Sequence, residues 1–218
     1  MRDIVLIEDR ESVSNPECHA MGLIPYCQEN PGLRIERRVS LWQNAFFYNS
    51  GLGAWAIGER TKDYRDLEAN EMSFAVARWV IETLPLISAG MPAKSFTLVL
   101  DGEGDPQCTE VFQNIVLRDA AWQQAMDECF QSGDLPLEPY GTRRNTQRNW
   151  AAAIFPAFND SYMFDKFPQV MREIVEGTSI VRCTFDPGEV IDVQRFKSIA
   201  KQGSWSLEHW KVNWPFRP

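Results

Sequence analysis

The sequence predicts a single α+β domain in which a mostly antiparallel sheet carries helices packed on one face. Three observations lead to this prediction: short β-branched and aromatic runs between turn residues in the first third, helical periodicity later, and a globular composition with 44% apolar and 24% charged residues. At 218 residues the chain fits one large domain, and no internal repeat or low-complexity tract divides it. We therefore expect one domain over residues 1–218, with residues 134–148 as an irregular connection.

The first third of the chain is expected to supply the antiparallel strands. Residues 4–7 are a compact β-branched run, and prolines and glycines then make residues 10–33 irregular. Residues 33–39 alternate, with Leu33, Ile35, Arg37 and Val39 on one side, residues 41–48 are aromatic-rich, and residues 52–57 follow the turn signal Asn49-Ser-Gly51. These last three segments are predicted to form an antiparallel meander.

Helices dominate the prediction from residue 70 onward. Apolar residues three or four apart over 72–87 predict a helix that Pro85 ends near Leu84. Residues 95–100 are the strongest strand pattern, and Thr109 is predicted to cap a long helix that stops at Gly133. A further strand is predicted over 179–185, and shorter helices over 150–158, 165–176, 192–200 and 206–214.

The charge balance and the cysteines limit the classes of function. A formal net charge of −8 and a pI near 4.9 oppose direct binding to nucleic acid or anionic lipid and favour a basic partner. The five cysteines contain no Cys-x-x-Cys pair, which is typical of reduced thiols. The apolar run near the amino terminus is too short for a signal peptide or a membrane span, so we expect a cytoplasmic protein.

No catalytic or cofactor motif occurs at a recognisable spacing. Both phosphate-binding glycine patterns are missing, and the chain has only two histidines. Cys18 and His19 are adjacent in sequence, whereas a nucleophile and its base normally meet through the fold, and nothing brings His209 to them. Arg143, Arg144 and Arg148 form a small basic island that neighbouring acids can neutralise. The chain is therefore predicted to be no enzyme and to need no cofactor.

Two groups of residues are candidates for binding a partner. The first is the acidic loop, residues 101–105, in which Asp101, Glu103 and Asp105 follow a predicted buried strand. Cation ligands often occur there, but Phe112 stands where a calcium hand needs an acid, so a solvated turn or a protein-binding loop is preferred over a metal site.

The second candidate is a group of tryptophans near the end of the sequence, Trp205, Trp210 and Trp214. On a helix Trp210 and Trp214 lie one turn apart and share a face. This segment is expected either to dock on the body as a lid over the core or to offer an aromatic face to a partner. Trp79 and Trp122 fall on helical core stripes and are expected to be buried.

Three stretches resemble a known class of proteins: FTLVLDG at 96–102, TEVFQNIVLRDAAW at 109–122, and VRCTFDPG at 181–188. They are similar to segments of immunity proteins, the small cytoplasmic proteins encoded beside secreted bacterial toxins of the polymorphic or type VI secretion type. The resemblance implies a soluble inhibitor that binds one cognate toxin and blocks its active site or entry. It carries no functional residue over to this chain.

The leading hypothesis is therefore a cytoplasmic immunity or inhibitor protein whose partner is a basic toxin. One alternative is an enzyme in which Asp101, Glu103 and Asp105 hold a divalent ion, since hard cations prefer oxygen ligands. Another is a structural or assembly subunit of a phage or secretion system, which would form large homo-oligomers.

Overall fold

The strands form one parallel sheet. The computed structural model describes residues 2–8, 20–47, 69–134 and 162–200. Within these ranges the sheet has four strands in the order β1-β2-β3-β4, and every neighbouring pair is parallel. The strands are β1 (Arg2–Glu8), β2 (Leu33–Ser40), β3 (Phe96–Asp101) and β4 (Val181–Cys183).

Helices connect each strand to the next, as parallel pairing requires. A 3₁₀ turn (Met21–Leu23) and α1 (Ile24–Glu29) lie between β1 and β2, and α2 (Leu41–Phe47) and α3 (Ala69–Thr83) lie between β2 and β3. Between β3 and β4 come α4 (Gln107–Val111), a π-helical segment (Phe112–Leu117), α5 (Arg118–Gln131) and α6 (Phe167–Val175), and α7 (Val193–Ala200) follows β4.

The prediction of an α+β fold with a mostly antiparallel sheet is wrong, because the described part of the chain is α/β. The error lies at residues 41–47, which form α2 instead of a second strand. The Ser40 hydroxyl accepts a hydrogen bond from the backbone N–H of Gln43 at 3.1 Å and caps the helix. Residues 21–29, predicted to be irregular, are helical as well, with Pro25 in the first turn of α1. The strand predicted over 52–57 lies outside the described residues.

The later elements were predicted more accurately. The helices expected over 72–84, 109–133, 165–176 and 192–200 correspond to α3, the continuous helical stretch 107–131, α6 and α7. Gly133 and Gly177 follow two of them with φ of 79° and 70°, the left-handed conformation that ends a helix. The predictions for 134–148, 150–158 and 206–214 fall on residues outside the described ranges, apart from Asp134.

The core lies on one face of the sheet. Along β2 the buried residues alternate with half-buried ones, and Leu33, Ile35 and Val39 pack with the helices. Strand register puts Phe96, Leu98 and Leu100 on this same face; we call it the helical face. A second, smaller cluster joins α5 to α7, where the rings of Trp122 and Phe196 meet edge to face at 5.8 Å. Among the described helices, none is long and apolar enough to cross a membrane.

Candidate functional site

The acidic loop lies where the strands end. The four parallel strands bring their carboxyl ends to one edge of the sheet, and the loop begins with Asp101, the last residue of β3. In open α/β sheets ligands bind at this edge, in the crevice formed where the strand order reverses. Among the described strands the order is sequential and has no reversal. Among the described strands topology therefore provides no crevice at this edge, and a binding site there would depend on the loop itself.

Asp101 organises the loop from within. Its Oδ1 accepts hydrogen bonds from the backbone N–H of Glu103 at 2.9 Å and from the Thr184 hydroxyl at 3.0 Å. Its Oδ2 lies 3.5 Å from a guanidinium nitrogen of Arg38. The Thr184 oxygen in turn accepts from the N–H of Gly102 at 2.9 Å. The Asp101 carboxylate thus ties the loop to the segment after β4.

Asp105 caps the helix that follows the loop. Its Oδ1 accepts a hydrogen bond from the backbone N–H of Gln107, the first residue of α4, at 2.9 Å, and Pro106 between them has helical dihedral angles (φ −65°, ψ −19°). The predicted cap, Thr109, is therefore wrong, because it lies inside α4. The carboxylate of Asp105 satisfies a backbone donor that the helix leaves unpaired.

Glu103 is the acid that the loop presents to solvent. It is exposed and has φ of 53°, and Gly104 beside it has φ of 77°. Its Oε1 accepts a hydrogen bond from the side-chain amide of Gln43, in α2, at 3.1 Å. The turn therefore projects the Glu103 carboxylate outward and holds it against a neighbouring helix.

Close packing fixes the base of the loop. A Cβ added at Gly102 would lie 2.9 Å from Cys108 Sγ and 2.9 Å from Phe185 Cδ1, closer than such atoms approach. Only glycine fits there without movement of the neighbours. The backbone bonds, the cap and this contact together define one conformation of the loop.

The acids of the loop do not form a group of metal ligands. Within the described ranges, no three histidine, cysteine or acidic side chains are arranged to hold a metal ion. The hydrogen bonds explain this, because Asp101 and Asp105 each accept from a different backbone amide, those of Glu103 and Gln107.

Two cysteines near the loop are unsuited to nucleophilic chemistry. Burial raises the pKa of the Cys108 thiol, and the nearby acid Asp105 raises it further. Burial, with a smaller contribution from Cys108, raises the pKa of Cys183 to about 12. The thiolate is the reactive form of cysteine, so a raised pKa makes both thiols poor nucleophiles at neutral pH.

A second group of charged residues is buried between the helical face of the sheet and the helices, and the sequence analysis did not predict it. In this Arg37 cluster the guanidinium of Arg37, only 1% exposed, bonds to Glu8 through Nε and to Glu82 Oε2 through a terminal nitrogen at 2.6 Å. Its Cζ lies 4.7 Å from the ring centre of Trp79, whose indole N–H donates to Asn44 Oδ1 at 2.7 Å.

The Arg37 cluster joins five parts of the chain. Glu82 in α3 also accepts a hydrogen bond from the backbone N–H of Ala20 at 2.6 Å, while Glu8 ends β1 and Asn44 lies in α2. Burial raises the pKa of Glu82, and the Ala20 amide and Arg37 oppose that rise. The signal in the sequence was an arginine in an otherwise apolar alternation, at the third of the positions 33, 35, 37 and 39.

Another buried carboxylate connects two helices. Asp119 in α5 accepts a hydrogen bond from the Ser73 hydroxyl, in α3, at 2.6 Å and pairs with Arg118 at 3.1 Å. Burial raises the pKa of Asp119, and Arg118 and Ser73 oppose the rise. This pair, like the Arg37 cluster, holds secondary structure elements together inside the fold.

The remaining candidates separate into two sets. Trp79 and Trp122 are 3% and 4% exposed, which confirms that they belong to the core. Trp205, Trp210 and Trp214 lie outside the described residues, and so do the histidines and the basic island. Comparisons with protein-family models, with curated proteins and with solved structures found no match to this chain.

Proposed function

We propose that the protein is a cytoplasmic immunity or inhibitor protein that binds a secreted bacterial toxin with a basic surface. The observation that carries the proposal is the internally hydrogen-bonded acidic loop, in which two carboxylates hold the backbone and the third, on Glu103, stays exposed. A binding loop that is ordered before it meets its partner loses little conformational entropy on association.

Charge supports the same conclusion. The chain has a net charge of −8, and complementary charge on a toxin would speed the encounter and disfavour wrong partners. An inhibitor needs a stable scaffold and no chemistry of its own, and the raised pKa values of Cys108 and Cys183 fit that requirement.

Co-expression tests the proposal directly. The chain is produced together with the toxin encoded beside it, and survival is compared with that of cells that produce the toxin alone. We expect full protection from the wild type and reduced protection from Glu103→Lys, with Glu29→Lys as the control. Glu29 is exposed at the end of α1. It lies close to the start of β2, at the amino ends of the strands, whereas the acidic loop lies at their carboxyl ends. Failure of the wild type to protect refutes the proposal.

A carboxylate enzyme is the second candidate, because Asp101 ends a central parallel strand at the edge where α/β proteins bind ligands. Titration calorimetry with magnesium, manganese and calcium separates the two functions. Binding that Asp101→Asn abolishes supports the enzyme. The absence of any heat of binding at millimolar metal would exclude the metal-dependent enzyme.

A further inference from the structure

Strand β1 has an edge without the usual protection. In the described part of the chain it pairs with β2 alone, and its side chains Ile4, Val5 and Ile7 are 44%, 54% and 84% exposed. Proteins normally shield such an edge with charged side chains, above all lysine, with proline, with a bulge or by keeping the strand very short. β1 is seven residues long, contains neither lysine nor proline, and carries its charged residues Arg2, Asp3 and Glu8 near its ends, so that residues 4–7 are all apolar. An edge of this kind is suited to pairing with another strand.

The backbone groups of β1 alternate in direction. The N–H of Arg2 donates to the carbonyl of Gly32 at 3.0 Å, so the backbone of Arg2 faces β2. In a parallel ladder every second residue repeats this orientation. The backbone N–H and C=O groups of Asp3, Val5 and Ile7 therefore point outward, away from β2.

This alternation restricts how a second strand can pair. In an antiparallel pair, residues that exchange backbone hydrogen bonds lie opposite each other, so outward-facing residues must oppose outward-facing residues. A second copy of β1 meets this condition over its whole length when Val5 lies opposite Val5 of the second copy. Asp3 then lies opposite Ile7, and no residue of the strand remains unpaired.

The side chains match in the same register. Arg2 lies opposite Glu8 of the second copy, which places opposite charges together, and Ile4 lies opposite Leu6. Glu8 is 19% exposed and bonds Arg37 through one oxygen, Oε2. Val5 packs against Val5 of the second copy on the face away from the helices, where Ile7 lies opposite Asp3 and is the one unmatched pair. Three of the four kinds of pair are thus complementary, which favours a second copy over an unrelated strand.

We propose that two copies of this chain associate through β1, antiparallel about a twofold axis at Val5, and join their four-stranded sheets into one. The interface is a single pair of strands and is therefore small. We expect a dissociation constant of about 1–100 µM, so that dimers form at high protein concentration.

Opposite charges at position 7 test the register. Ile7→Lys and Ile7→Asp remove the same exposed side chain, but the first puts an ammonium group opposite Asp3 of the second copy and the second puts a carboxylate there. Each contact occurs twice in the dimer. Sedimentation of the full chain should give a dissociation constant that is roughly two- to thirtyfold higher for Ile7→Asp than for Ile7→Lys. The double variant Asp3→Lys/Ile7→Asp should recover dimerisation.

A proline tests the backbone pairing. Val5→Pro removes an N–H that points outward and leaves the ladder with β2 complete, so it should give a folded monomer. Circular dichroism verifies the fold. Val190→Asp, at an apolar side chain that is 47% exposed elsewhere on the surface, should dimerise like the wild type. A wild type that stays monomeric at about 100 µM, equal effects of both charges at position 7, or growth beyond dimers overturns the proposal.

Discussion

The acidic loop and the Arg37 cluster both depend on carboxylates, but burial gives them different roles. In the loop, Asp101 and Asp105 bond to backbone amides near the surface and shape a turn that exposes Glu103. In the cluster, Glu82 is 2% exposed and meets a guanidinium that is equally enclosed. The same chemical group thus presents charge to solvent in one region and holds strands and helices together in the other.

Energetics sharpen the difference. A buried ion pair must overcome the loss of hydration of both charges, so removal of one partner leaves the other uncompensated. An exposed charge keeps its water and can be exchanged with little effect on stability. We therefore expect substitutions in the cluster to change stability and substitutions of Glu103 to change binding.

The largest effect is expected from Arg37→Met, which leaves Glu82 buried without its cation. The free energy of unfolding should fall by about 3–5 kcal/mol, as urea denaturation can measure. Arg38→Met is the matched control, because Arg38 is the next residue and lies on the other face with its side chain 40% exposed. Its effect should be much smaller. Equal losses of stability for the two variants would mean that the buried Arg37 contributes no more to the free energy of unfolding than the exposed Arg38.

A smaller effect is expected from Gly102→Ala at the base of the acidic loop. The added methyl group meets Cys108 Sγ and Phe185 at 2.9 Å, and such overpacking costs about 1–3 kcal/mol. Gly22→Ala provides the control, since a Cβ there has no atom within 4 Å. Thermal unfolding should separate the two variants by several degrees. If Gly102→Ala is as stable as the wild type, Cys108 and Phe185 accommodate the methyl group and close packing does not fix the base of the loop.

The smallest effect on stability is expected from the helix cap. Asp105→Ala removes the acceptor for the Gln107 amide and should cost about 1 kcal/mol. Thr109→Ala, at the cap that the sequence predicted, should cost less in the same urea titration. A larger loss of stability for Thr109→Ala than for Asp105→Ala would instead identify Thr109 as the helix cap.

Local patterns in the sequence were sufficient for the helices after residue 69, but not for α1, for α2 or for the direction of the strands. Apolar spacing and the stops at Gly133 and Gly177 located α3, the helical stretch 107–131 and α6 to within a few residues. Whether neighbouring strands run parallel depends on the connections between them. The capping pattern of Ser40 and Gln43 could have indicated α2, and the near-continuous apolar run of β3 is typical of a buried parallel strand.

The candidate site was predicted in part. The position of the acidic loop after a buried strand follows from the sequence, whereas the separate roles of Asp101, Glu103 and Asp105 depend on contacts with Thr184, Gln43 and Gln107. Arg37 was visible in the sequence, but its partners Glu8 and Glu82 come from distant parts of the chain. No local sequence pattern predicts that these three side chains pair with one another.

Association kinetics with the toxin test most directly whether the acidic loop is the binding surface. The rate constants of the wild type, Glu103→Lys and Glu29→Lys are measured at low and high salt. Both variants change the net charge equally, so we expect Glu103→Lys alone to slow association strongly at low salt, with the difference shrinking as salt screens the charges. Equal rate constants for the two variants would contradict the account and leave the acidic loop as a solvated turn.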